Sequence, residues 1–147
     1  MAEIVTLGQN SAETTESRIV LSIALAKHLV SALSDEFSLR IITSTVTQGK
    51  TVQDISVEQA VPLSTCYRRA RELVDQGILV VERIVVTGEG KRYAVYRSSF
   101  KTVDMASDFR GLSASAELNE AVAEKFRRWW FYDSYPNGKK DLDELDR

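Results

Sequence analysis

The sequence predicts an α+β fold in which the helices come first and the strands follow. Between residues 17 and 76 apolar residues recur at steps of three and four, the helical period. After Gly77 the pattern becomes extended, with "ILVVERIVV" and "KRYAVYRS" on either side of "TGEG". Charge is a third observation. Residues 37–101 hold 10 basic and 6 acidic side chains, while the segments on either side are each net −3 in a chain of net charge −2. A basic middle between acidic flanks is the distribution expected of a local anion-binding surface.

Taken in order, residues 1–16 are polar and without period, and are expected to be a flexible N-terminus. A leading helix over 17–33 is drawn from the stripe Ile19, Ile23, Ala26, Val30 and Leu33, with His28 beside it as a partly buried structural residue. Ser34 reads as the N-cap of a second helix, with Asp35 and Glu36 in its first turn, Phe37, Ile41, Ile42 and Val46 on its buried face, and Gly49 at its end. Thr51 and Asp54 have capping-box spacing and open a third helix that runs to about Ala60. Pro62 breaks it, Ser64 is expected to cap a fourth helix over 64–76, and Gly77 takes the left-handed position that ends it.

The strands come next. "TGEG" joins the first pair into a hairpin over 79–98, with Gly88 and Gly90 free to take positive φ. A second hairpin follows. On one strand Val103, Met105, Ser107 and Phe109 are expected to share a face, and on the other Leu112, Ala114, Ala116 and Leu118. Asn119 caps a last helix whose apolar side is Val122, Phe126, Trp129 and Trp130. The tail 133–147 is polar and turn-rich. The expected organisation is therefore 1–16, a winged helix with its leading helix over 17–99, a hairpin and aromatic helix over 100–132, and the tail.

Composition excludes several classes. One cysteine, Cys66, leaves no internal disulfide framework and fits a reducing compartment. With one His besides, a thiolate or imidazole metal site is not expected. The apolar run 19–26 is too short to span a bilayer, and Glu13 and Glu16 stand where a leader peptide wants positive charge, so a cytoplasmic protein with no membrane partner is expected. No nucleophile–base pair, phosphate loop or carboxylate dyad stands at a telling spacing, so no enzyme and no cofactor are expected.

Two short helices about four residues apart, followed by a hairpin, make a winged helix-turn-helix, here with an N-terminal helix, a C-terminal β-hairpin and a C-terminal helix. In "STCYRRARELVDQGILVVER", Cys66, Ala70, Leu73 and Val74 share the inward face of the fourth helix. Ser64, Thr65, Tyr67, Arg68, Arg69 and Arg71 are left on the outer and flanking faces, as hydroxyls and guanidinium groups suited to bases or phosphates. Arg69 and Arg71 have a second reading as partners of Glu72 or Asp75, and Tyr67 as a brace for the helix. Cys66 reads as a small core residue. Lys91 and Arg92, beside the hairpin turn, read as a wing that grips DNA backbone or minor groove, or otherwise as a solvated turn. Phe126, Trp129 and Trp130 either cover the second hairpin or form a symmetric dimer surface, for which the leading helix is the other candidate.

The ordered features "LSDEFSLRII", "VPLSTCYRRARELVDQGIL" and "KRYAVYR", spanning about residues 33–98, resemble the winged-helix domain of ArsR-like transcriptional regulators, the archaeal ones in particular. The resemblance implies a homodimer on operator DNA, with Ser64, Thr65, Tyr67 and Arg68 facing the major groove and Lys91 and Arg92 on the wing. Metal-sensing members of that family use clustered thiolates or His and carboxylate groups, and this chain lacks them. The competing expectation is a winged-helix protein–protein interaction module that never touches nucleic acid.

Overall fold

A short strand, not a helix, is the first element among the described residues, 18–134, of the computed structural model. Arg18–Val20 forms β1 and pairs antiparallel with β5 (Leu112–Leu118), Ile19 opposite Ala116. Ser22 then caps α1 (Ile23–Ser34), its hydroxyl accepting from the Leu25 N–H. The expected stripe of the leading helix is therefore out of phase. Leu25, Ala26, Leu29 and Ala32 are buried, whereas Ile23, Val30 and His28 are exposed. The helix is apolar on most of its circumference, so burial follows the side that meets the sheet and α2.

Asp35, one residue later than expected, caps α2 (Glu36–Ser44) by accepting from the Ser38 N–H at 2.9 Å. This helix stops at Ser44, well before Gly49. Thr51 and Asp54 close a reciprocal capping box on α3 (Val52–Gln59), and Ala60 ends it in the left-handed region. Next, α4 (Leu63–Asp75) leads through Gly77, at φ +81°, into β2 (Leu79–Val86). β2 pairs with β3 (Arg92–Ser98), with a bulge at Glu82 between the Val81–Tyr96 and Arg83–Val95 pairs. Lys50 and Tyr96 exchange backbone hydrogen bonds, so the segment before α3 lies along the outer edge of β3.

β4 (Phe100–Ser107) and β5 form the second hairpin, and the sheet order is β1-β5-β4. Ala114, Ala116 and Leu118 are buried as the alternation predicts. Phe109 does not join the face of Val103 and Met105. It sits in the turn at φ +70°, wholly exposed. Asn119 caps a 3-10 turn, Glu120–Val122, that runs into α5 (Ala123–Ser134). Helix thus continues through Ser134, two residues into the expected tail. The segments 1–16 and 135–147, expected to be flexible, lie outside the described residues.

One hydrophobic core joins the two halves. Leu25, Leu29, Ile41, Ile55, Leu73, Leu79, Leu118 and Phe126 are all buried in it. Phe126 meets Phe100 edge-on at 5.0 Å. Trp129 lies over Gly77 so closely that a Cβ there would come within 2.4 Å of the indole. Gly77 is thus fixed twice, by its φ and by that ring. Among the described residues, no helix is long and apolar enough to cross a membrane.

Candidate nucleic-acid interface

The connection between α3 and α4 is fixed before α4 begins. Val61 is buried, its N–H donates to the Ser56 carbonyl, and the Ser56 hydroxyl donates to the Val61 carbonyl at 2.6 Å. Pro62 occupies the N-cap position of α4, and no side chain caps the first turn. Ser64 is consequently not the cap. Proline's fixed φ suits the entry to a helix, so the helix starts at Leu63, one residue earlier. Ser64 is left exposed and Thr65 half-buried beside first-turn N–H groups that no protein side chain satisfies.

The inward stripe forms as the period requires: Cys66, Ala70 and Leu73 are buried and Val74 packs against them. The Cys66 thiol donates to the Val52 carbonyl at 3.7 Å, and burial pushes its pKa up. A raised pKa and no exposure suit a packing residue and not a redox sensor.

The outer face divides into two kinds of arginine. Arg69 is turned inward. Its guanidinium donates to Asp35 Oδ1 at 3.2 Å and to Glu72 Oε2 at 3.4 Å, while its buried Nε has no partner. Asp35 is held below its ordinary pKa chiefly by the Ser38 backbone N–H and hydroxyl, with Arg69 and then Arg68 adding to the effect against the cost of desolvation. Arg69 therefore fastens α4 to the cap of α2 and is committed within the chain. Arg68 and Arg71 are exposed and form no ion pair among the described residues. Other basic side chains nearby are paired: Arg40 with Glu36, Lys50 with Glu58, and Arg83 and Arg97 with Glu82.

Tyr67 braces and projects at once. Its ring is half exposed, and its hydroxyl accepts from Gln53 Nε2 at 2.7 Å, tying α4 to α3. Gln53 was not singled out from sequence, although its place on the outer side of the capping-box helix was the available signal. Tyr96 marks the place where α4 meets the first hairpin. Burial raises its phenol pKa, Tyr67 and Cys66 act in the same direction, and Arg71 opposes them.

Lys91 and Arg92 lie exposed at the end of that hairpin. The turn is closed by the Lys91 N–H donating to Thr87 Oγ1 at 3.1 Å and by the Gly90 N–H donating to the Thr87 carbonyl. Gly90 uses positive φ there and Gly88 does not. The base of the hairpin is anchored: Arg97 donates to Glu82, Val46 and Thr47, and Lys125 of α5 donates to the Val81 and Glu82 carbonyls at the bulge.

Of the aromatic trio considered for a dimer surface, Phe126 belongs to the core and Trp129 covers Gly77. Trp130, 50 % exposed, is the member that reaches the surface, beside Phe131 at 53 %. The described residues contain no group of His, Cys, Asp and Glu able to hold a metal. Neither a protein-family model nor a curated protein matches the chain.

Proposed function

We propose that the chain is a winged-helix regulator of transcription that binds duplex DNA as a homodimer, with α4 in the major groove and β2–β3 as the wing. One observation carries the reading: Arg68, Arg71, Lys91 and Arg92 stand in solvent without acidic partners among the described residues, while the neighbouring Arg69 is tied down to position the helix that presents two of them. Two hydroxyls at an uncapped helix start add donors to the same face. Arginine in the groove serves guanine or phosphate, and Lys91 and Arg92 serve backbone. A second copy supplies the other half-site, about 34–36 Å along the duplex. The exposed Ile23 and Val30 lie two turns apart on one side of α1 and are the apolar stripe favoured for that pairing.

The test is selection of bound duplexes from a random pool, followed by affinity against salt. Four engaged cations per protomer give a slope of log K against log salt of about −3.6 per half-site. Arg92→Ala should make it shallower by about one. A salt-independent interaction, or a pool without enrichment, rejects DNA binding.

A second reading has its own observation. Beyond the bulge, Ile84 (52 % exposed) and Val86 (57 %) share the ribbon face of Arg92. Apolar side chains there favour a protein partner for the hairpin, and enrichment of no duplex would support it.

A further inference from the structure

A cavity of about 630 Å³ lies between β1 and α5, away from the face built by α4 and β2–β3. Its volume falls in the range of small-molecule sites, about 300–1,000 Å³. One wall is β1, with Ile19 and Val20, the latter 85 % exposed. The other is a helical stripe in which Glu124, Arg127, Arg128 and Phe131 recur at the period of α5. The apolar lining of Ile19, Val20, Leu118, Phe126 and Phe131, with two guanidinium groups on one rim, matches a ligand with an apolar body and an anionic head. Glu124 offsets one of the two charges by pairing with Arg127 at 3.9 Å, and Arg128 forms no ion pair among the described residues, so the rim keeps a net positive charge.

The same helix reaches the candidate DNA-binding face. Phe126 lines the cavity and packs on Trp129, and Trp129 lies on Gly77, where α4 ends. One residue earlier, Lys125 holds the carbonyls of the β2 bulge. A molecule wedged between β1 and α5 therefore pushes on an element that touches both the end of α4 and the base of the hairpin.

We propose that this cavity is an effector site for an amphipathic anion, a medium-chain or aryl carboxylate or sulfonate, and that α5 relays its occupancy to α4 and β2–β3. The relay to DNA rests on the function proposed above; binding itself does not. Both tryptophans of the chain, Trp129 and Trp130, are on α5, so their emission reports the site directly.

The experiment titrates the full chain with dodecanoate, and separately with dodecanol, while following tryptophan emission. Saturable binding of dodecanoate is expected, weakened about tenfold in the R127A/R128A double variant, with dodecanol little changed. Both arginines are exposed, and circular dichroism verifies that the variant is folded. No saturable dodecanoate binding, or binding indifferent to the two arginines, overturns the site. So does sedimentation showing that Val20→Asp or Phe131→Asp splits a dimer, because a second copy then fills the cavity. If dodecanoate binds as expected and duplex affinity, measured in parallel, responds to it, the relay holds. If it binds and DNA affinity exists but does not respond, the relay is wrong. If no duplex is bound at all, the DNA reading fails while the site stands.

Discussion

The two hairpins are built alike and used differently. Each is an antiparallel pair with one bulge, at Glu82 in the first and at Lys101 in the second. In β4–β5, alternate residues of β5 are buried along its length, and α1 and β1 cover that strand. In β2–β3 only the base is held, by Arg97 and Lys125, and from Arg83 to Arg92 nearly every side chain faces water. A ribbon without a buried face is marginal by itself. The first hairpin therefore contributes little to stability beyond its base, and its distal half is free to be chosen for what it touches. The arginines of α4 repeat the division on a smaller scale: Arg69 holds the structure, and Arg68 and Arg71 face out.

That division can be broken most severely at the second hairpin. Phe126→Ala removes the ring packed on Phe100 and should cost about 3–5 kcal/mol in urea unfolding. A loss below 1 kcal/mol would mean that the second hairpin is not the stabilising one. Gly77→Ala places a Cβ against Trp129 at positive φ and should cost about 1–3 kcal/mol, with a shift in tryptophan emission. Arg68→Ala and Arg92→Ala sharpen the contrast. Each should weaken duplex binding by about 1–3 kcal/mol and leave the free energy of unfolding within about 0.5 kcal/mol of the parent's. The smallest effect is expected at Asp35→Asn, which keeps a competent cap but gives up the ion pair with Arg69, a change within about 1 kcal/mol at pH 7. Folding lowers the Asp35 pKa, so its contribution is complete above the ordinary value of 3.8 and disappears as pH falls through the lowered folded value. Stability of D35N should accordingly fall less between pH 5 and pH 2 than that of the parent, as read by thermal melts.

The elements legible in the sequence were those specified locally. The Thr51–Asp54 capping box, the Cys66–Ala70–Leu73 stripe, Gly77, and the alternation through Leu118 depend on residues within a few positions of one another. What was missed depends on distance along the chain. β1 falls inside the expected leading helix because "RIVLSI", which alone could be a strand, continues a helical stripe, while its partner β5 lies almost a hundred residues away. The phase of α1 was lost because a helix apolar over more than half of its circumference has more than one stripe to offer. Arg69 could be weighed only against Glu72 and Asp75, since Asp35 is 34 residues distant. Trp129 is expected against the second hairpin or a second copy, whereas it is Gly77, 52 residues away and without a side chain, that receives it.

The three residues of β1 also act as a stopper. They pair with Ser115, Ala116 and Glu117, closing three positions on the flank of β5 that would otherwise be an open row of amide and carbonyl groups, carried mostly on small and apolar side chains. Such a row is a template for another chain, whereas a strand as short as β1, opened by an arginine paired with Asp104, offers little for a newcomer to grip. Protein shortened to begin at Ser22 should therefore aggregate as concentration rises, visible by light scattering, while the full chain stays dispersed.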